Sequence, residues 1–208
     1  MNGMNFAEAR YTNIFATPLV TYVLEDVTEL NALLRQRILA HHSEHAGVSK
    51  SNRGGWHSEI GELEFCGDAG QRLISHVRRF GDEATRRVFA EYREPVSPMH
   101  WKVYAWANVN RAGDFNKMHV HPASTWSGTY YVDAGDPTDV GAPLHLFDPC
   151  QARAVTFLPQ VVQESVFIHP KPGLMVLFPS YVPHMVFPHE GKGTRISIAF
   201  NLRKEPYP

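Results

Sequence analysis

The chain has 208 residues, of which 43% are hydrophobic and 20% are charged, and its formal net charge is −1. A chain of this length buries a substantial core, so we expect one domain over residues 1–208. The near-neutral charge excludes a global attraction to nucleic acid or to an acidic membrane surface, and partners must be inferred from a local site.

The cysteine content and the first residues predict the compartment. Cys66 and Cys150 are the only cysteines, and neither belongs to a C-x-x-C pair, so no disulfide framework is expected. Residues 1–8 lack the basic segment and apolar run of a secretory signal, and no stretch approaches the roughly 18 apolar residues of a membrane span. We therefore expect a cytoplasmic protein with no membrane or nucleic-acid partner.

Residues 1–95 are predicted to form a strand and two amphipathic helices that support the rest of the chain. β-Branched and aromatic residues predict a strand from Ile14 to Leu24, which is also a candidate homodimer interface. Apolar residues at helical period predict a first helix through Leu30 to Ile38, after a capping-box spacing that starts at Asp26. A second helix is predicted between Asp68 and Pro95.

Residues 96–208 show an apolar period of two, which predicts β-structure to the end of the chain. Many short strands after two helices predict a mainly β fold with flanking helices (α+β). The expected architecture is a double-stranded β-helix, or cupin-like jelly roll, with both helices packed outside. The predicted strands are Trp101–Val109, Trp126–Asp133, Leu144–Phe147, Ala152–Leu158, Val162–His169, Leu174–Phe178 and Thr194–Leu202.

The last predicted strand has two unlike faces. One face carries Ile196, Ile198, Phe200 and Leu202, and the other carries Arg195, Ser197, Ala199 and Asn201. A single arginine among small residues is typical of a barrel interior with a small polar cavity, although an edge strand with one wet face is the alternative.

Three histidines form the candidate metal site. His119 and His121 lie two apart in the run MHVHP, so on a strand they point to the same side and can bind one ion. His184, after the strand Leu174–Phe178, is the candidate third ligand, and the alternative is two surface histidines beside a turn. His41 and His45 are one helical turn apart, but their run does not match H-E-x-x-H, so we interpret them as surface residues.

Arg195 follows His184 by eleven residues, a distance that brings the chain around one turn and back along a neighbouring strand. Its guanidinium could then bind a carboxylate by two charge-assisted hydrogen bonds, and Ser197 could donate a third. The alternative is an ion pair between Arg195 and a local Asp or Glu.

Several motifs in residues 100–208 together resemble the 2-oxoglutarate/Fe(II)-dependent oxygenases on the prolyl-hydroxylase-like side. They are HVHP at 119–122, SGTYYV at 127–132, FPS at 178–180, and RISIAFN at 195–201 after His184. More narrowly, they are similar to a bacterial and phage group with HxHP, SGxYYV, FPS, H and RISI elements.

The resemblance implies Fe(II) and the cosubstrate 2-oxoglutarate, and hydroxylation of a small-molecule or peptide substrate. It makes His119, His121 and His184 the iron ligands, and it assigns Arg195, Ser197 and Tyr131 to the cosubstrate. His121 departs from the pattern, since most of the superfamily has Asp or Glu there. If iron binds, we expect Asn108, Asn116 and Asn201 to accept hydrogen bonds from the free ring nitrogens of the ligand histidines and so to orient them. Trp126 and Trp56, with the loop around Gly54, are expected to wall the cavity.

Two alternatives stay open at this point. The first is a cupin-type metal-dependent dioxygenase or isomerase that uses the same three histidines without 2-oxoglutarate, although the acid expected soon after HxH is missing from residues 122–126. The second is a jelly-roll binding domain without catalysis.

Overall fold

The computed structural model describes residues 15–90, 99–135, 142–153 and 164–205. Its two long helices are α1 (Thr28–Glu44) and α2 (Gly67–Ala90), separated by a short 3₁₀ helix at Glu64–Cys66. The strands of these residues are β1 Val20–Val23, β2 Asn52–Arg53, β3 Trp56–His57, β4 Trp101–Asn110, β5 Phe115–His119, β6 Trp126–Asp133, β7 Leu144–Phe147, β8 Ser165–Ile168, β9 Leu174–Pro179, β10 His184–Val186 and β11 Arg195–Lys204.

The strands form two antiparallel sheets that face each other. The six-stranded sheet has the order β1-β9-β6-β11-β4-β3, and the five-stranded sheet has the order β2-β5-β10-β7-β8. This is the mainly β jelly roll that the sequence predicts, with two helices outside it. The first half of the chain contributes three strands as well as the helices. These strands, β1, β2 and β3, all lie at sheet edges.

Both helices pack on the outer face of the six-stranded sheet. Leu34 and Ile38 of α1 and Leu73 of α2 are fully buried in one cluster with Ile198 and Phe200 of β11. This confirms the apolar face predicted for the last strand. The predicted capping box is wrong: α1 begins after Val27, which makes no side-chain cap, and Asp26 has a left-handed φ of 51°.

The other face of β11 lies in the space between the sheets. Arg195 and Ser197 are buried there, on the polar face that the sequence predicts. A smaller apolar cluster fills the rest of this space and consists of Tyr131, Leu144, Leu146, Val176, Phe178 and Val182. The interior is therefore apolar on one side and polar on the other.

The segment from β2 to β3 connects the two sheets. Asn52–Arg53 pairs with β5 of the five-stranded sheet, whereas Trp56–His57 pairs with β4 of the six-stranded sheet. Gly54 and Gly55, which lie between them, have φ of 67° and 41°. A Cβ atom at Gly54 would collide with the Asp114 carboxylate. Glycine is therefore needed where the chain crosses from one sheet to the other.

Some predicted strands differ from the structure. Ala152 and Arg153 lie in a helical turn. The rest of the predicted strand Ala152–Leu158 lies outside the described residues, as do Ile14 and the start of the strand predicted from Val162. The single-domain organisation over residues 1–208 stays a prediction. Within the described ranges, neither helix has the length and apolar character that crossing a membrane requires.

Candidate metal centre

Three histidines meet at one end of the space between the sheets. His119 is the last residue of β5 and lies directly opposite His184, the first residue of β10. His121 lies beyond the end of β5, where its backbone N–H donates to the Ser180 carbonyl at 3.0 Å. One ligand nitrogen from each ring lies within 4.8 Å of the others.

Backbone carbonyls hold two of the three rings. Nδ1 of His119 lies 2.7 Å from the Lys117 carbonyl oxygen, and Nδ1 of His184 lies 2.9 Å from that of Val182. Because a carbonyl oxygen only accepts, both Nδ1 atoms carry the proton, and both Nε2 atoms are left as free acceptors. Nε2 of His121 and Nε2 of His184 are 3.2 Å apart. Two neighbouring ligands at about 2.1 Å from one ion lie about 3 Å apart, so this spacing fits shared coordination.

The His121 ring is held by a side chain. Its Nδ1 lies 3.1 Å from the amide nitrogen of Asn201, whose amide oxygen accepts from the Ser127 hydroxyl at 2.7 Å. If the Asn201 amide turns by half a rotation, its oxygen accepts from Nδ1–H of His121 and its nitrogen donates to Ser127. That orientation leaves Nε2 of His121 free for a metal.

Of the three asparagines predicted around the metal, only Asn201 hydrogen-bonds one of these histidines in the described structure. Asn116 donates to Ser51 instead, at 3.2 Å, and Asn108 lines the cavity without a hydrogen bond to the three rings. The two carbonyls that hold His119 and His184 were not predicted, since backbone acceptors leave no signal in the side-chain sequence.

Burial keeps the three rings neutral. Desolvation, with a smaller contribution from the neighbouring histidines, lowers the pKa of His184 to about 3 and that of His121 to about 4. The pKa of His119 is also lowered, again mainly by burial. Neutral imidazoles are the form that binds a metal, so this cluster is prepared for a cation without prior loss of protons.

Behind the histidines lies an inner cavity of about 60 Å³, bounded by Tyr131, His184, Arg195 and Ser197. By the measure that one buried water needs roughly 10–15 Å³, the inner cavity holds a small polar molecule. Arg195 is 3% exposed, and its Nη1 donates to the Ala142 carbonyl at 3.2 Å. Its Nε and the Tyr131 hydroxyl are buried and have no hydrogen-bond partner among the described residues.

The alternative of a local ion pair for Arg195 is wrong within the described residues, because no carboxylate pairs with its guanidinium there. Burial lowers the pKa of Arg195 and raises that of Tyr131, while the two groups partly offset each other's shift. An uncompensated buried cation beside an unused hydroxyl is a site for an anion.

On the other side of the histidines lies an outer pocket of about 740 Å³ that is open to solvent. His119, His121 and Trp106 line both this pocket and the inner cavity. The outer pocket is also lined by Lys50, Ile60, Tyr104, Lys117, Met118 and Arg203. The histidines therefore lie between the inner cavity and the more open outer pocket.

Residues 104–201 match a protein family described as "Putative 2OG-Fe(II) oxygenase", where 2OG is 2-oxoglutarate. This match spans just under half of the chain, and over it the chain is similar to the 2OG-Fe(II) oxygenases. A comparison of the chain with curated proteins gives no match.

Solved structures share the fold of this chain at low identity. A Pseudomonas putida prolyl-4-hydroxylase is 17% identical with a TM-score of 0.64, covering 90% of this chain and 93% of its own. A Trichoplax adhaerens prolyl hydroxylase, in complex with a hypoxia inducible factor peptide fragment, is 14% identical with a TM-score of 0.59 (89% and 83% covered). The carbocyclase SnoK from nogalamycin biosynthesis is 13% identical with a TM-score of 0.62 (89% and 79% covered).

The tryptophans of this chain differ from the prediction. Trp126 lies opposite Leu202 on the helix side of the sheet and donates to Thr85 at 2.9 Å, so it does not wall the cavity. Trp56 donates to the carbonyl of His45, also away from the two spaces. Trp106 is the tryptophan that lines them. Its alternation with the apolar residues of β4 was the signal that could have identified it.

Proposed function

We propose that the protein is an Fe(II)- and 2-oxoglutarate-dependent oxygenase that hydroxylates a C–H bond, with Fe(II) bound by His119, His121 and His184. Two buried groups directly behind the three histidines carry this proposal. Among the described residues, the Nε of Arg195 and the hydroxyl of Tyr131 have no hydrogen-bond partner. A cupin or a plain binding domain gives no reason for an uncompensated guanidinium in that place.

The donor set fits the metal. Three neutral imidazoles bind from one side, which leaves positions on the other side for further ligands, as non-heme iron oxygenases require. His119 and His184 belong to paired strands, and their rings are held by carbonyls two residues earlier in the chain. The ligands are thereby oriented before a metal arrives.

The inner cavity fits the cosubstrate. In the proposal, Arg195 binds the far carboxylate of 2-oxoglutarate through its free N–H groups, with Ser197 and the Tyr131 hydroxyl as further partners. The charge of this carboxylate offsets the desolvation of the guanidinium. The near end of 2-oxoglutarate then points towards the three histidines, which border the same cavity.

The chemistry is divided between the bound group and the chain. Fe(II), with 2-oxoglutarate and O₂, supplies the oxidant that converts C–H into C–OH while 2-oxoglutarate becomes succinate and CO₂. The chain orients the ligands, holds the cosubstrate and excludes water: Trp106 separates the inner cavity from the outer pocket, where the substrate binds. The Trichoplax adhaerens prolyl hydroxylase is in complex with a peptide fragment, whereas SnoK is from nogalamycin biosynthesis. In the proposal, the outer pocket determines whether this protein takes a peptide or a small-molecule substrate.

His121 changes the charge of the centre. A carboxylate at this position would neutralise one charge of Fe(II), whereas a neutral imidazole leaves both charges. Because the imidazole is also a weaker electron donor than a carboxylate, the histidine site gains more from an anionic cosubstrate.

An anaerobic titration with Fe(II) and then 2-oxoglutarate tests the proposal. We expect a charge-transfer band that forms only with both, is absent in His184→Ala, and is absent in Arg195→Met while metal still binds. His76→Gln, on α2, is the matched control and should retain the band. Exposure to O₂ should then release succinate. Metal binding that 2-oxoglutarate leaves unchanged would favour the cupin alternative, and no metal binding would favour the binding domain.

A further inference from the structure

The outer pocket carries charge of one sign only. Its charged side chains are Lys50, Lys117 and Arg203, and no Asp or Glu is among its described lining residues. The chain as a whole has 20 basic and 21 acidic residues, so this local excess is not a consequence of composition. Within the described structure, none of the three cations forms an ion pair.

One of these cations lies against another cation. Arg203 of β11 is directly opposite Lys102 of β4, so the two side chains lie on the same face of the sheet. Like charges in this position destabilise a sheet. Glu205 lies 3.9 Å from Lys102, and both side chains are half exposed, so solvent screens this contact and the repulsion alike. A bound anion would relieve the repulsion that remains.

The proposed metal centre also has an excess of positive charge. Fe(II) contributes two positive charges and Arg195 one, and 2-oxoglutarate contributes two negative charges. Because His121 replaces an acid, one positive charge remains uncompensated between the inner cavity and the outer pocket. Desolvated charge of one sign strengthens the attraction of an opposite charge in a partly closed pocket.

The outer pocket also offers apolar surface. Met118 is 51% exposed and Ile60 is 50% exposed, and both line the outer pocket beside Tyr104 and Trp106. A volume of about 740 Å³ lies within the range of small-molecule sites. The occupant is thus a molecule with an apolar or aromatic part and a charged group.

We propose that the substrate is a small organic molecule bearing a carboxylate or phosphate, which Lys50, Lys117 and Arg203 bind while its apolar part lies against Tyr104 and Trp106. This rests on the proposed function for the reaction, but the anion preference can be measured without turnover. Lys50 and Lys117 flank the histidines from the β2 and β5 side, and Arg203 faces them from β11. The oxyanion therefore sits at the rim and the C–H bond lies nearer to the metal.

Calorimetric binding of phenyl phosphate and of phenol compares an anion with its neutral counterpart. The protein is loaded anaerobically with Fe(II) and 2-oxoglutarate, so the inner cavity is filled. We expect phenyl phosphate to bind at least about tenfold more tightly, since several charge contacts act together. The preference should shrink as salt is raised, because the pocket is open to solvent.

Single variants assign the preference to the outer pocket. Lys117→Gln and Arg203→Gln should each weaken phenyl phosphate binding by roughly two- to fivefold and leave phenol binding unchanged, the range expected for one exposed charge contact. Lys171→Gln removes an exposed lysine outside the outer pocket and is the matched control. Thermal unfolding of each variant confirms that it is folded. Relief of the Lys102 repulsion should make Arg203→Gln no less stable than the parent.

Three outcomes of these titrations would overturn the inference: equal affinity for phenyl phosphate and phenol, absence of binding by both, and equal weakening in Lys171→Gln. Repeating the titration on metal-free Arg195→Met separates the two proposals. Retained phosphate preference there supports the outer pocket even if the protein proves unable to use 2-oxoglutarate, and loss of the preference there places the phosphate in the inner cavity and refutes the inference.

Discussion

Strand β11 carries two arginines of opposite character on one face. Arg195 begins the strand in the inner cavity and is 3% exposed, whereas Arg203 lies near its end at the outer pocket and is exposed. At roughly 3.3 Å per residue they are about 26 Å apart, on either side of the histidines. Burying an unpaired guanidinium lowers the stability of the ligand-free protein by several kcal/mol. A ligand carboxylate that binds there offsets this cost. An exposed cation costs little and tunes selection among ligands.

The largest expected effect is at the buried arginine. Arg195→Met should weaken 2-oxoglutarate binding by roughly 100- to 1,000-fold, since two charge-assisted hydrogen bonds are lost. The same variant should raise the unfolding free energy of the ligand-free protein, by about 1–4 kcal/mol, because a desolvated cation is replaced by an apolar side chain. Titration and chemical denaturation measure the two effects.

Arg203→Gln is the matched variant for that experiment. It should leave 2-oxoglutarate affinity unchanged, and its own effect on anion binding should fade with salt while that of Arg195→Met persists. If both variants weakened 2-oxoglutarate to the same extent, the division into an inner cavity and an outer pocket would be wrong.

The next effect in size concerns the residue that holds His121. Asn201→Ala should weaken metal affinity by about 10- to 100-fold, the usual loss when a residue that orients a metal ligand is removed. Competition with a coloured chelator measures this. Asn116→Ala is the control, since Asn116 contacts Ser51 and none of the three rings. An equal loss in both variants would assign the effect to general destabilisation.

A smaller effect is expected at the unused hydroxyl. Tyr131→Phe should weaken 2-oxoglutarate binding by roughly two- to tenfold, the value of one neutral hydrogen bond, without changing metal affinity. Stability should not fall, because the hydroxyl is buried without a partner in the free protein. A marked drop in stability would show that the hydroxyl is already satisfied and is not reserved for a ligand.

The smallest signal is the proton release on metal binding at pH 6. With the pKa of His121 about 4 and that of His184 about 3, these rings are already neutral, so well under one proton should leave. Three histidines with an ordinary pKa near 6.5 would release about two. Calorimetry in two buffers of different ionisation enthalpy counts the protons. Because the folded pKa values lie below 6.5, stability should be full above pH 6.5 and decline as the pH falls towards 4.

The sequence predicted those parts of the site that depend on alternation along single strands. Period two on β11 placed Arg195 and Ser197 on the interior face, and the spacing of His119 and His121 anticipated that their rings would meet. The strand bounds of β6 and β7 agree with the prediction. In these cases a local pattern and a global one coincide, which is why one-dimensional reasoning was sufficient.

The parts that were missed depend on which strands become neighbours. Trp106 lines the cavity and Trp126 does not, because the two side chains lie on opposite faces of the six-stranded sheet on either side of β11. Composition does not show which face of β4 or β6 becomes the interior one. The carbonyls that hold His119 and His184 belong to the backbone, which is the same for any sequence. The positive charge of the outer pocket was not predicted, because Lys50, Lys117 and Arg203 come from three separate regions of the chain.

The crossing at Gly54 and Gly55 fastens the two sheets together beside the site. Ser51 borders both spaces, and Lys50 precedes the crossing and carries one of the rim charges. Separation of β2 from β5, or of β3 from β4, would widen the entrance. The crossing at the two glycines thus limits the size of the molecule that enters. Slow amide exchange at Asn52 and His57 would be evidence that the crossing stays paired to both sheets.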